Sequence, residues 1–523
     1  MKKQLTLKIK PSEAADDNYL KKIVAVEVGC KASEINGYTI LRKSIDARSR
    51  QVFVNLSIEA FINEPYQYRP FSKIRFGDVT HAKKRVIIIG AGPAGLFAAL
   101  QLLEKGIKPI ILERGKDVKS RRRDLAVLNK EGLINPESNY CFGEGGAGTH
   151  SDGKLYTRST KRGDVNRILN VLVQFGADEK ILYEAHPHIG TNKLPQIITA
   201  IRQQILDSGG KFLFEKKVID LKTEDGLIKS VITADGATVT GDAVILATGH
   251  SARDIFLMLH EKKINIEVKP FALGVRVEHP QSLIDSVQYH CLVRDEFLPP
   301  SSYSLVQQVE GKGVFSFCMC PGGIIAPAAT DSNELVVNGW SPSKRNNPFA
   351  NSGIVVSVEE QDVLAYKKHG ALSTMYFQQE VEQKAFAAGG GKFVAPAQRL
   401  IDFCENKLSL SLPPCSYLPG INSALLKNVL PPFINERLRI AFKEFGKKMP
   451  GYYTNDATIV ATESRTSSPV RIPRNAETLQ HPQIQNLYPC GEGAGYAGGI
   501  VSAAIDGERV ALSIVGTGLA SRF

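Results

Sequence analysis

Three glycines in Gly90-Ala-Gly-Pro-Ala-Gly95 have the spacing that most directly implies chemistry in this chain. The apolar run Val86-Ile-Ile-Ile89 precedes them, and a helical pattern from about residue 94 to 105 follows. In that context Gly90 permits a tight turn, Gly92 lets backbone approach a pyrophosphate, and Gly95 lets helix pack close on strand. Pro93 and Ala94 lie in the first helical turn, whose free N–H groups and positive dipole end suit phosphate. Glu113 stands 18 positions after Gly95, at the end of the next strand. A carboxylate there is placed to accept both hydroxyls of an adenosine ribose. Among the arginines of Lys119-Ser-Arg-Arg-Arg123, Arg122 is the candidate partner for a pyrophosphate.

A second glycine-rich loop is Cys141-Phe-Gly-Glu-Gly-Gly-Ala-Gly-Thr-His-Ser-Asp-Gly-Lys-Leu155. Gly145, Gly146 and Gly153 allow close backbone approach, and Thr149, Ser151 and Asp152 place polar groups beside it. Two further segments carry a similar stamp. Asp242-Ala-Val-Ile-Leu-Ala-Thr-Gly249 is a strand closing in Ala247-Thr248-Gly249. Near the C-terminus, Asn486-Leu-Tyr-Pro-Cys-Gly-Glu-Gly-Ala-Gly-Tyr-Ala-Gly-Gly-Ile500 leads a strand into a helix.

These motifs, in this order, resemble the glutathione-reductase-like FAD proteins. More narrowly, the 141–155 loop, Ala185-His-Pro-His-Ile-Gly-Thr-Asn-Lys-Leu194 and Glu463-Ser-Arg-Thr-Ser-Ser-Pro469 resemble the family called uncharacterised FAD-dependent dehydrogenases. The resemblance covers 85–523. It implies an FAD bound non-covalently, with NADH or NADPH as a transient electron donor. It also implies that Gly491 and Glu492 stand where related chains end a strand in Gly-Asp and bind the ribityl chain. Gly498, Gly499 and Ile500 would then open a helix toward the flavin pyrimidine, where its amides stabilise charge on the reduced ring. Arg114 and Val218 complete the cofactor-binding candidates. The family's substrates are not settled, so the resemblance is specific for fold and cofactor and not for reaction.

For substrate positioning or proton transfer the candidates are His150, His188, Lys193 and Arg465. His150 lies inside the glycine loop, His188 in a Pro-containing loop, and Lys193 and Arg465 are cations suited to an anion. No Cys-x-x-Cys occurs, which disfavours a disulfide reductase of the thioredoxin-reductase type. Cys318-Met-Cys320 reads mainly as packing, on a strand with both thiols on one face, and redox chemistry is the minor alternative. No metal site is expected, because the histidines lack carboxylates or cysteines at ligand spacing. No second strand–glycine turn–helix pattern marks a dedicated nicotinamide domain.

These residues need elements to hold them. At 523 residues, 43% hydrophobic and 23% charged, the chain is long enough for two or three cores. The expected fold is α/β: a Rossmann-type FAD-binding domain of the glutathione-reductase-like kind, an inserted α+β substrate or cap domain, and a small N-terminal α+β domain. The boundaries read as 1–80 for the N-terminal domain, 81–264 for the first part of the FAD domain, 265–475 for the cap and 476–523 for its C-terminal part. Strands are expected over 5–9, 38–44 and 51–58, a connector over 63–70, and a helical stretch near 358–388. The alternating N-terminus reads as an edge strand and not a signal peptide. Eight cysteines without a regular framework and no membrane-length apolar run point to the cytoplasm.

The net charge is +12, and half of it falls in residues 1–83, which hold 15 Lys plus Arg against 9 Asp plus Glu. A solvated basic face is the plain reading, and a polyanionic partner such as nucleic acid is the alternative. The leading function is an FAD-dependent oxidoreductase acting on a small molecule by hydride or electron-pair exchange at flavin N5. An RNA-modifying flavoenzyme and a non-catalytic flavin-binding docking protein are the rivals.

Overall fold

The computed structural model describes residues 1–68, 73–157 and 161–516. At its centre five parallel strands lie side by side in the order Leu487–Pro489, Ala243–Leu246, Arg85–Ile89, Lys108–Leu112 and Lys211–Leu213. The middle three are nearly continuous Ile, Val and Leu and are buried, as a sheet covered on both faces requires. Numbered along the chain, the strands follow the 3-2-1-4-5 order of doubly wound dinucleotide-binding sheets. Helix Pro93–Glu104 packs on one face, and Gly106 ends that turn with φ +69°. The last helix, Ile500–Gly516, crosses it so closely that a side chain at Gly507 would meet the Ala94 carbonyl at 2.1 Å.

The N-terminal sheet has strand Phe53–Ile62 in its middle, antiparallel to Lys2–Ile9 and Ile35–Asp46. Alternation along Leu5, Leu7 and Ile9 sends one face inward, onto Leu20 and Val24 of helix Asp17–Val28. Asp16 caps that helix by accepting from the Asn18 and Tyr19 amides. The second and third strands run longer than the apolar pattern indicated. Of the expected connector over 63–70, Arg69 and Pro70 lie outside the described residues.

A seven-stranded sheet built from Phe271–Pro280, Phe349–Val358, Lys312–Cys320, Thr458–Glu463 and three shorter strands covers the crevice. Helices Ser373–Gly389 and Pro432–Lys448 pack their apolar faces on it. The helical stretch expected near 358–388 is two pieces, a 3₁₀ segment Glu360–Leu372 and the α-helix Ser373–Gly389. Gly370, at φ +56° and ψ −129°, breaks the first piece. Among the described residues no helix is long and apolar enough to cross a membrane.

Candidate functional site

The glycine turns leave the sheet at the carboxyl ends of the parallel strands, Gly90 after Ile89, Ala247 after Leu246 and Cys490 after Pro489. That is where doubly wound sheets bind ligands. A cavity of about 1340 Å³ opens there and runs under the seven-stranded sheet. Its volume exceeds the roughly 300–1,000 Å³ of pockets that hold one small ligand.

The three glycines of the first turn have three different environments. A Cβ on Gly90 would sit 2.4 Å from the Ala247 carbonyl, and Gly90 takes φ +104°. A Cβ on Gly95 would sit 2.1 Å from the Gly90 carbonyl, so this glycine allows helix and strand to touch. Gly92 faces open space, with Gly146 Cα its nearest neighbour at 4.0 Å. The middle position is therefore the one where backbone is bare to a ligand.

Of the predicted cofactor-binding residues, Gly90, Gly92, Pro93, Ala94, Glu113, Arg114, Gly146, Ser151, Asp152, Gly153, Val218, Ala247, Thr248, Gly249, Glu492, Gly498, Gly499 and Ile500 line this one cavity. Gly95, Gly145, Thr149 and Gly491 lie behind its wall. Gly145 donates its amide to the Ala91 carbonyl at 2.9 Å, tying the second glycine loop to the first turn. Thr149 Oγ1 is buried and donates to the Glu144 carbonyl at 2.6 Å. The Gly491 amide donates to Asp506 Oδ2 at 2.8 Å, and Arg474 holds that carboxylate from its other side at 2.6 Å.

Two cofactor expectations change. Arg122 is exposed on helix Val118–Glu131 and is not on the cavity wall. Its neighbour Arg121 is fully buried instead and donates to the carbonyls of Asn139, Tyr140 and Glu144. The helical period puts adjacent residues on different faces, which the run of arginines concealed. Glu113 is buried, and its carboxylate accepts the amides of Ala91 at 2.9 Å, Gly115 at 2.8 Å and Gly143 at 3.0 Å. Of about four acceptor sites on a carboxylate, this leaves about one, so the arrangement suits one ribose hydroxyl and not both. Glu113 clamps three loops together.

The catalytic candidates separate in the same way. His150 and Arg465 line the cavity; His188 and Lys193 do not. His150 Nε2 has no hydrogen-bond partner, and burial pulls the imidazole down to about 3, with Arg121 and Arg122 adding to the shift. It is neutral at any physiological pH. His188 donates through Nε2 to the Ser343 carbonyl at 3.3 Å, and its backbone forms a bridge with Lys154. Lys193 is exposed at the start of helix Leu194–Asp207 and is not part of the cavity wall. Arg465 is not a free anion clamp. It pairs with Glu382 at 2.9 Å and Glu334 at 3.0 Å, and Arg253 meets the same two carboxylates at 2.9 Å and 2.8 Å. The guanidinium is spent on a buried four-membered ion network joining helix Arg253–Glu261 to the covering domain.

Several wall residues carried no motif signal. Trp340 and Arg345 line the cavity together with Met319 and with Lys154, which the 141–155 loop motif already contained. Arg345 bonds Asp152 at 3.0 Å, with Lys154 3.8 Å from the same carboxylate. Ala47 and Arg48 bring the N-terminal unit to the cavity wall. These come from separate parts of the chain, so no local spacing predicts their meeting. Glu492 faces Lys269, yet burial pushes its carboxyl up to about 7.

Family models match three stretches: a domain of unknown function over 1–61, an FAD binding domain over 83–128, and the C-terminal domain-like part of an FAD-dependent protein over 270–466. An uncharacterized protein of Clostridium beijerinckii is 39% identical over 519 residues, covering 96% of each chain. The chain belongs to a family of uncharacterised FAD-dependent proteins. The thiamine thiazole synthase of Archaeoglobus fulgidus is 26% identical over 203 residues, 36% of this chain and 64% of that protein. Among solved structures, a tetracycline destructase aligns at a TM-score of 0.35 with 13% identity, over 84% of this FAD-dependent protein and 82% of that chain. Glycine oxidase from Bacillus cereus aligns at 0.30 with 14% identity, over 83% and 96%. Values of this size transfer no substrate or reaction.

The wall of this FAD-dependent protein fits its cofactor. Bare backbone at Gly92 meets the amino end of helix Pro93–Glu104, which offers unpaired amides to a pyrophosphate. Thr248 Oγ1 and His150 Nε2 are buried polar atoms without protein partners on the same wall. Helix Ile500–Gly516 opens into the cavity through Gly498 and Gly499, neither of which has a neighbour within 4 Å of an added Cβ.

Proposed function

We propose that this FAD-dependent protein is an oxidoreductase that exchanges a hydride or electron pair between flavin N5 and a small molecule held beneath the seven-stranded sheet. The carrying observation is that a single cavity of about 1340 Å³ joins the glycine-turn wall to Lys154, Met319, Trp340 and Arg345. It is large enough for a dinucleotide and a second, smaller molecule. When bound, FAD supplies the two-electron chemistry, and the chain supplies binding, orientation and charge. The glycine turns and the Gly249 loop would hold the dinucleotide. The amino end of helix Ile500–Gly516 favours negative charge at its mouth. His150, neutral, would position substrate by hydrogen bonding and not by charge. Lys154 and the Arg345–Asp152 pair form the polar part of the substrate wall. NADH or NADPH is the proposed donor, visiting the same crevice in turn. The cytoplasm is the proposed compartment, where eight unbridged cysteines stay reduced.

Anaerobic stopped-flow mixing of the yellow protein with NADH and NADPH tests this reading. Bleaching by one of them supports it; a flavin that neither nicotinamide nor any substrate-class reductant bleaches favours the docking reading. A second reading, a nucleic-acid-modifying flavoenzyme, draws on the N-terminal sheet, where Lys2 lies over the Phe61 ring and Lys8 over the Phe53 ring at 4.9 and 4.8 Å. Salt-dependent retardation of tRNA in a gel would favour it, and no binding at low salt would dismiss it.

A further inference from the structure

Strand Lys312–Cys320 departs from its ladder at the Cys318-Met-Cys320 segment. Phe317 lies opposite Gly353 and Cys320 opposite Asn351, so three steps on this strand match two on its partner. Cys318 takes φ +45°, in the left-handed region that side chains other than glycine enter at a cost. The bulge takes Cys318 out of the regular strand geometry that would have governed both thiols. Cys318 is exposed, and what it is exposed to is the flavin cavity; Cys320 is buried just behind it, on the same wall. Cys320 Sγ lies 3.2 Å from the Cys318 carbonyl oxygen. The bulge breaks the regular strand spacing over this stretch, and the two cysteines, with one residue between them in the chain, stand on one wall of the cavity.

Two cations converge on the inner sulfur. Arg276 Nη2 is 3.5 Å and Lys154 Nζ 3.7 Å from Cys320 Sγ. The same groups hold the strained backbone, Arg276 donating to the Cys318 carbonyl at 2.7 Å and Lys154 to that of Met319. Glu463, bonded to Arg276 at 2.6 Å, fixes the guanidinium in place. A left-handed cysteine held in a flavin cavity by two cations is more than packing requires.

We propose that Cys318 and Cys320 form a dithiol–disulfide couple that exchanges one electron pair with the flavin in the shared cavity. This rests on the redox reading above. In the reducing direction the S–S bond breaks, each sulfur gains one electron and one proton, and the reduced flavin gives up the matching electron pair and two protons. The nicotinamide donor replaces that pair. Lys154 and Arg276 stand where negative charge develops on Cys320 as the bond breaks. Cys318, open to the cavity, takes up the other proton from the reduced flavin.

The test uses the full-length holoprotein, first oxidised with diamide and freed of excess reagent. Slow anaerobic titration with dithionite is expected to consume two electron pairs per flavin, with Cys318 and Cys320 becoming alkylatable as the flavin changes colour. Cys318→Ser and Cys320→Ser are each expected to consume one pair. Peptide mapping of the oxidised apoprotein, without reductant, is expected to find the segment carrying both cysteines lighter by two hydrogens. This readout needs no flavin and holds even where a variant fails to fold. One electron pair in the wild type, with both cysteines alkylatable after oxidation, overturns the proposal. A mapped disulfide and two pairs from dithionite, with no bleaching by NADH or NADPH, leaves this couple standing and removes the nicotinamide donor instead.

Discussion

Replacing Glu113 with alanine separates a clamp from a ribose ligand. The carboxylate accepts three amides, from Ala91, Gly115 and Gly143, at 2.8 to 3.0 Å. Each buried N–H left without a partner costs about 1–3 kcal/mol. Water from the cavity reaches the vacated space and satisfies part of this, so the net cost is about 3–5 kcal/mol. At about 2–4 °C per kcal/mol, the apoprotein is expected to melt roughly 6–20 °C lower. Loss of one ribose hydrogen bond adds a separate weakening of FAD, about tenfold to a hundredfold in Kd. The assays are thermal unfolding of apoprotein and quenching of FAD fluorescence on binding. An alanine variant whose apoprotein melts like the wild type, while FAD binding falls, would refute the clamp and restore the pure ribose role.

Arg465→Met leaves Glu334 and Glu382 with only Arg253 between them, and is expected to destabilise the fold by about 3–5 kcal/mol in urea unfolding; unchanged stability with a raised KM would return Arg465 to the substrate. Gly95→Ala puts a methyl 2.1 Å from the Gly90 carbonyl, so purified variant is expected to carry little or no flavin, and a full complement would contradict the close packing. Glu492, whose folded-state carboxyl is raised from 4.5 to about 7, favours the fold while protonated. That contribution is complete below the unfolded value and is lost as pH rises through about 7, at most about 3 kcal/mol. Glu492→Gln is therefore expected to flatten the fall in apoprotein urea midpoint between pH 5 and 8, and an identical fall in the variant would count against the assignment. His150, down at about 3, adds no inflection to a pH–rate profile between 5 and 8, and His150→Gln is expected to leave the profile's shape intact while lowering the rate.

The cofactor side of the cavity was legible because its demands are local. A phosphate needs bare backbone next to a helix start, and that requirement leaves glycines at fixed offsets, as at Gly90, Gly92 and Gly95. The substrate side has no such offsets. Trp340 and Arg345 join Lys154 of the glycine loop on the cavity wall only after the chain has crossed between two sheets, and nothing local records that meeting. Arg465 misled for a physical reason: a cation in a Ser/Thr-rich turn looks available until Glu334 and Glu382, more than eighty positions away, arrive beside it. Arg122 and Arg121 differ by one helical step, which sequence alone could not phase. Cys318 and Cys320 alternate as a strand should, and the bulge between Phe317 and Cys320 leaves no mark on the composition.

The most direct test of the account is the cofactor itself, followed through one anaerobic experiment. The purified chain is denatured, its released flavin identified and counted, and a native sample is titrated with NADH and NADPH. The account predicts about one FAD per chain, released without proteolysis, and loss of the oxidised-flavin spectrum with one of the two donors. A chain that carries no flavin, and takes up none when FAD is added, contradicts it.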